Sequence, residues 1–286
     1  MGAMVAAVLL SSRTLAPLGL IANLFGRLNN SRTAYRDLDQ LMKLVDKSEN
    51  GNQGIKVEKL GSIEWSRMAF SYPDSSLPSL IEVSASIKSG ERIAIMGRNG
   101  SGKTTLIKLC AGMFKPTQGV ITYDKLGLTE IDETQFYSKL SVVLQDVYLF
   151  SGTIRENIIM GRDDIDDEVL RRTIECSGVN DFLPRIPGGL EYVLADRGQS
   201  LSAGQRQSIA LARALVTEPE VLLLDEPTSA LDLNSEQSFV ERLKTFLKET
   251  TLITVTHRLP VLELVDRIIV LADGKIALDG PKNDVL

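Results

Sequence analysis

The chain has 286 residues, 43% of them hydrophobic and 24% charged, the balance of an ordinary folded protein able to bury a core of its own. Its 37 acidic side chains against 32 basic ones leave a net charge of −5, which gives no electrostatic footprint for nucleic acid or for an anionic membrane surface. The two cysteines, Cys110 and Cys176, lie far apart with no Cys or His neighbour at metal-ligand spacing, which disfavours zinc and leaves reduced structural thiols as the expectation.

No acidic residue precedes Asp37, and the stretches Met1 to Leu10 and Leu15 to Phe25 are strongly apolar. No positively charged segment leads into the first run, so the pattern is not that of a secretory leader. Each run is shorter than the roughly 20 residues needed to cross a bilayer. Arg13 separates the two runs and Pro17 interrupts the second. Two readings stay open here: part of a membrane helix continuing into a connecting helix over residues 1–47, or an amphipathic helix packed on the domain. Leu38, Leu41, Met42 and Val45 keep helical spacing up to the polar, Gly-rich SENGNQG, which marks a linker over 48–60 and a folded domain over 61–286.

Short apolar runs then alternate with helical segments. Strands are expected at Ile63 to Tyr72, Ile81 to Ile87, Arg92 to Met96, Leu140 to Leu144, Val221 to Leu224, Leu252 to Val255 and Ile268 to Leu271. Helices are expected after Gly102, around Asp167 to Cys176, from Ser202 to Val216 and from Asn234 to Leu247. Alternation of this kind predicts an α/β fold, and continuous runs such as VLLL suit a mainly parallel sheet covered on both faces. The earliest strands lack intervening helices and are expected to form an antiparallel piece. No internal repeat is present.

Gly97-Arg98-Asn99-Gly100-Ser101-Gly102-Lys103-Thr104 fits G-x-x-x-x-G-K-[ST], with a strand before it and a helical TTLIKLCAG after it. The glycines let main-chain N–H groups turn inward as an anion nest at a helix N-terminus. Lys103 adds a cation for the β- and γ-phosphates, and the Thr104 hydroxyl can ligate Mg²⁺. By itself this loop predicts a nucleoside triphosphate site without choosing a family. Asp225 and Glu226 end the VLLL strand, at the edge where parallel sheets bind ligands. Asp225 is the candidate Mg²⁺ ligand and Glu226 the group that polarises the attacking water. His257, the single histidine, follows another strand, and Gln145 ends the SVVL run. Each would be uninformative without the others. Ser202 and Gln205 in LSAGQ have capping-box spacing, and the helix they open could equally receive a phosphate; residue chemistry leaves both readings open.

Taken together in this order, these motifs resemble the nucleotide-binding domain of ABC transporters over residues 60 to 286 or so. GRNGSGKT resembles the Walker A loop, Gln145 the Q-loop, LSAGQ the signature, LLLDE the Walker B strand, Ser229-Ala230-Leu231-Asp232 the D-loop, His257 the switch histidine, and Tyr72 the aromatic residue that stacks on adenine. Ala203 departs from the Gly usual in the signature. The resemblance implies a P-loop ATPase fold with a mainly parallel sheet, an antiparallel β subdomain and a helical subdomain. It implies ATP and Mg²⁺ as ligands. Tyr72, Gly97, Asn99, Gly100, Ser101, Gly102, Lys103, Thr104, Thr105 and Gln145 would contact nucleotide in cis, and Ser202, Gly204 and Gln205 in trans. Thr104, Gln145 and Asp225 would hold the metal, while Glu226, His257, Gln145 and Lys103 would serve catalysis.

The family resemblance further implies a head-to-tail homodimer with two buried ATP molecules, both hydrolysed, and a transmembrane partner domain. The N-terminal stretch SSRTLAPLGLIANLFGRLNNSRTAYRDLDQLM is similar to the end of the last membrane helix in fused exporters. With FSGTIRENI and THRLPVLELVDRIIVLADGKIALDGP, it looks most like bacterial type I secretion exporters. That implies protein or peptide export at the cytoplasmic face of the inner membrane, a truncated or split chain, and a membrane-fusion protein with an outer-membrane channel. The alternative is a soluble ABC ATPase of DNA repair or translation, although the chain has neither two cassettes nor a coiled-coil insertion. A nucleotide switch without turnover is a third reading, which the intact Glu226 and His257 oppose.

Overall fold

The computed structural model describes residues 2–49, 54–73, 75, 77–162, 164–195, 198–247 and 249–286, with the side chains of the first helix described at 2, 4, 17, 21 and 23–42. It divides into two compact units, residues 1–53 and 54–286. The first is one continuous helix, α1 (Gly2–Glu49), which runs through Pro17 and joins the separate runs expected from the sequence. Ile21, Leu24, Leu28, Tyr35, Leu38 and Met42 are exposed along it. No helix among the described residues is long and apolar enough to cross a membrane. Of the expected linker, residues 50–53 lie outside the described residues.

The second unit is built on two sheets. The smaller is antiparallel and comprises β1 (Ile63–Phe70), β2 (Leu80–Ile87), β4 (Gln118–Tyr123) and β5 (Leu126–Gly127), in the order β2-β1-β4-β5. β1 stops at Phe70 rather than running to Tyr72. Pro73 has no N–H for a ladder, and the Ser75 N–H closes a turn on the Tyr72 carbonyl at 3.0 Å. The larger sheet contains β3 (Arg92–Gly97), β6 (Leu140–Val143), β9 (Val221–Asp225), β10 (Thr251–Val255), β11 (Arg267–Ala272) and β12 (Lys275–Pro281), in the order β12-β11-β3-β10-β9-β6. Its pairings are parallel except for β11 with β12. A two-residue pair, β7 (Gly152–Thr153) and β8 (Val193–Leu194), lies apart.

Around the sheets stand α2 (Lys103–Cys110), α3 (Glu133–Lys139), α4 (Ile154–Ile159), α5 (Asp167–Ser177), α6 (Ala203–Leu215), α7 (Leu233–Phe246), α8 (Leu259–Leu262) and α9 (Lys282–Val285). α4 and α5, with the inner side of α6, enclose a separate apolar cluster that includes Ile154, Ile158, Leu170, Ile174 and Ile209. This is the expected helical subdomain. Thr153 and Glu156 cap α4 reciprocally, a T-x-x-E signal that was present in the sequence. Cys110 and Cys176 are both buried, and burial pushes each thiol up to about 12, far above where a reactive thiolate would form.

β9 is central to two cores at once. Successive strand residues point to opposite faces, so Val221 and Leu223 enter the cluster beneath the antiparallel sheet while Leu222 and Leu224 enter the one beneath α6 and α7. Leu223 is fully buried, and Leu223→Ala is expected to cost about 2–5 kcal/mol through lost transfer energy and a residual cavity. Denaturant unfolding of the purified chain measures this; a loss well below 1 kcal/mol would show that β9 is not so tightly packed.

Candidate nucleotide site

Four parallel strands, in the order β3-β10-β9-β6, end at one edge of the larger sheet, and each delivers polar groups to a single cleft of about 520 Å³. β3 delivers the Gly97–Thr104 loop. Lys103 opens α2 behind Gly102, whose φ of 100° lies in the left-handed region. A Cβ on Gly102 would also stand 2.6 Å from the Ser79 carbonyl oxygen, so only glycine fits. Lys103 Nζ donates to the carbonyls of Gly97 at 2.9 Å and Arg98 at 2.8 Å, which holds the ammonium over the loop. Asn99, Gly100, Gly102, Lys103, Thr104 and Thr105 all line the cleft.

β9 delivers Asp225 and Glu226, β6 delivers Gln145 and β10 delivers His257. The register places Val255 beside Asp225, so the loop after β10 emerges next to the acidic pair. Asp225 is buried, and neither of its carboxylate oxygens has a hydrogen-bond partner. Burial is the main reason its pKa is raised, and the Glu226 charge adds to the rise, while the Thr104 hydroxyl and the Lys103 and Lys108 ammonium groups oppose it. Two partnerless carboxylate oxygens, with a hydroxyl and an amide lining the same cleft, form a set of hard oxygen donors suited to a partly hydrated Mg²⁺. Among the described residues no group of three His, Cys, Asp or Glu could hold a metal by itself, so such a cation would share its shell with water and phosphate.

Glu226 Oε1 meets His257 Nδ1 at 2.8 Å, the Glu226 carboxylate being mostly buried and the His257 ring mostly exposed. Glu226 has φ of 51°, a left-handed conformation that costs a non-glycine residue about 1–2 kcal/mol. Its N–H donates to the Val255 carbonyl at 2.9 Å, tying it to β10.

Gly97 and Ser101 support the loop rather than line the cleft. A Cβ on Gly97 would fall 2.2 Å from the Leu271 carbonyl oxygen, and the buried Ser101 hydroxyl has no partner. Tyr72 stands at the margin. Its ring packs edge-on against Phe70 and Phe114 with centroids 5.0 and 5.5 Å away, and its hydroxyl lies 3.3 Å from Thr105 Oγ1. Ser202, Gly204 and Gln205 are not brought into this cleft. They start α6, where the Ser202 N–H donates to Gln205 Oε1 at 2.8 Å and the Gln205 N–H to Ser202 Oγ at 3.2 Å. The capping reading of that segment therefore holds, and Ser202 remains exposed.

Sequence reasoning did not single out the groups that hold the segment after Glu226. Gln207 on α6 donates to the Glu226 carbonyl at 2.9 Å and accepts from the Ala230 N–H at 3.1 Å. Arg258, next to His257, donates to the Ser229 carbonyl at 3.1 Å and the Leu231 carbonyl at 3.3 Å. It also pairs at 3.2 Å with buried Glu236, which takes a hydrogen bond from Thr228.

A family model described as "ABC transporter" matches residues 80–229. An ATP-dependent lipid A-core flippase of Chromobacterium violaceum is 37% identical over 77% of this chain and 38% of its own length. A Bacillus subtilis protein with a provisional name as a multidrug resistance ABC transporter ATP-binding/permease protein is 31% identical over 94% of this chain and 46% of its own. A bacterial Atm1-family ABC exporter solved with ATP bound superposes with a TM-score of 0.76 at 33% identity, over 82% of this chain and 41% of that one. The chain thus spans less than half the length of these relatives.

The raised Asp225 pKa has a consequence for stability. The folded state holds its proton to higher pH than the unfolded chain does, so stability falls as pH climbs above the unfolded value of about 3.9. Asp225→Asn is therefore expected to raise the thermal midpoint of the ligand-free protein at neutral pH, with the gain shrinking toward pH 3. A midpoint lowered at pH 7.5 would contradict the assigned burial penalty.

Proposed function

The chain belongs to the ABC transporter family, and on that premise we propose that it is the ATP-hydrolysing motor domain of an exporter, working as one half of a nucleotide-bridged pair. The observation that carries this reading is the convergence, in one cleft, of the Lys103–Thr104 loop, the partnerless Asp225 carboxylate and the Glu226–His257 pair.

In this reading the N–H groups of the Gly97–Thr104 loop and the Lys103 ammonium bind the β- and γ-phosphates of ATP. Asn99, Ser101 and Thr105 complete that loop, and Tyr72 offers a ring face to adenine. Thr104, Asp225 and Gln145 would hold Mg²⁺, which would supply charge neutralisation at the phosphates. Glu226 accepts a proton from water as that water attacks the γ-phosphorus, and the bond to the β-phosphate oxygen breaks to leave ADP and phosphate. His257 fixes the Glu226 carboxylate through the 2.8 Å contact, and its exposed ring lines the same cleft.

Pairing is supported by where the signature residues stand. Ser202, Gly204 and Gln205 sit outside the chain's own cleft at a helix start, which leaves a nucleotide held by a second copy as the one they would contact. Ala203 adds a methyl group at that surface and leaves the capping box intact. Residues 1–47 are proposed as the end of the last membrane helix with its connecting helix, 48–60 as the linker and 61–286 as the ATPase domain. The membrane domain of an exporter at the cytoplasmic face of the inner membrane is the proposed partner. The relatives' names are lipid A-core flippase and multidrug resistance protein. They lend no support to type I secretion, to a membrane-fusion protein or to an outer-membrane channel, so the proposal is for export with the cargo unassigned.

Glu226→Gln should lower the rate of phosphate release by about 100-fold or more while leaving Mg-ATP binding intact. Lys103→Ala should weaken the binding itself. Folded protein with no affinity for Mg-ATP, or a Glu226→Gln variant with unchanged turnover, would defeat the reading.

A further inference from the structure

Among the described residues, Gln207 is the one polar side chain on α6 that joins that helix to the main chain of Glu226. It is buried, at 2% exposure, and both ends of its amide are spent on the same segment. Nε2 donates to the Glu226 carbonyl at 2.9 Å, and Oε1 accepts from the Ala230 N–H at 3.1 Å. The segment it holds is one that needs holding. Glu226 has φ of 51°, and the residue after it is Pro227. A following proline crowds the preceding residue away from helical backbone and toward extended conformations, and a side chain with a Cβ resists the left-handed region. Both preferences oppose the observed geometry.

Three hydrogen bonds stand against them. On its N-terminal side Glu226 donates to the Val255 carbonyl at 2.9 Å. On its C-terminal side its carbonyl accepts from the Ser229 N–H at 3.1 Å and from Gln207. Of these three partners only Gln207 is a side chain, and only Gln207 comes from outside the sheet edge and its own turn. The direction of the Glu226 Cα–Cβ bond, and with it the position of Oε1 at 2.8 Å from His257 and of the partnerless Oε2, is set by this main-chain conformation.

We infer that Gln207 is a positioning residue for hydrolysis: by clamping the Glu226 carbonyl and the Ala230 N–H to α6, it aims the Glu226 carboxylate at the attacking water. This rests on the motor reading above. Gln207 does not line the cleft, so its effect falls on the chemical step and not on ATP binding. Gly204 lies close against the same segment one turn earlier, where an added Cβ would come within 3.1 Å of the Ala230 carbonyl oxygen.

The test uses steady-state ATPase kinetics of the full chain. Gln207→Met keeps the length of the side chain and removes both hydrogen bonds. It is expected to lower kcat about tenfold or more while KM for Mg-ATP stays within about twofold. In a Glu226→Gln background the same change should produce no further loss, because the residue acts through a carboxylate already removed. Gln207→Glu, which keeps an acceptor for the Ala230 N–H but places a carboxylate against the Glu226 carbonyl, should also lower kcat without moving KM, and provides the measurement if the methionine variant does not fold. A kcat within twofold of the parent in a variant with an unchanged thermal midpoint would overturn the inference. So would an equal fold-loss in both backgrounds, the mark of a general packing role. If Glu226→Gln itself retains full turnover, the motor reading falls; if it is inactive while Gln207→Met and Gln207→Glu are normal, the positioning role alone falls.

Discussion

Asp225 is a buried carboxylate whose two oxygens make no well-formed hydrogen bond, and only the Thr104 hydroxyl and two nearby ammonium groups favour its charge. A group so placed opposes folding unless a ligand supplies what the protein does not. The rest of the architecture can be understood as the means of keeping it there. β9 lies between β10 and β6, with apolar side chains feeding a core on each face. That double burial takes the body of the strand out of water and presents its end to the cleft. The neighbouring strands then terminate in step, so a cationic loop, an amide and an imidazole line the same cleft as the acid. The stability of the two cores is what allows one edge of the sheet to remain electrostatically unsatisfied.

Much of this was legible in the chain because some residues have few alternatives. Gly102 is required by a φ of 100° and by the carbonyl of Ser79, and a strand of the VLLLD type has no polar face to suggest any place but an interior. The acidic pair was legible only together with the phosphate loop, since two carboxylates at the end of such a run also fit a solvated turn. The pairing of Glu226 with His257 was readable only as proximity of strand ends. Its 2.8 Å contact depends on the Val255–Asp225 register, which sequence spacing does not encode.

What escaped notice was short or doubly interpretable. β4 reads QGVITY, with three exposed residues, one of them a glycine, and forms because β1 is beside it rather than through any pattern of its own. α3 and α4 are seven and six residues long, too brief for helical periodicity, although Asp132 and Thr153 cap them in the usual way. Gln207 escaped for a different reason: a glutamine within QRQSIALARAL looks like part of a solvated face, and only the approach of the 226–230 turn buries it. The sequence pattern runs past the end of β1 at Phe70 because aromatic Tyr72 continues the strand-like composition beyond the point where Pro73 removes a donor.

The left-handed backbone at Glu226 also shapes what replacements this position can teach from. Valine, isoleucine or threonine there would force a branched Cβ into a conformation it avoids, so an inactive variant of that kind would report on peptide geometry as much as on the missing acid. Asparagine and aspartate enter the same region readily. Natural descendants of this chain that lost hydrolysis but kept the turn should therefore be drawn from a narrow alphabet, and the identity of the residue they carry would record whether the chemistry or the backbone was relinquished first.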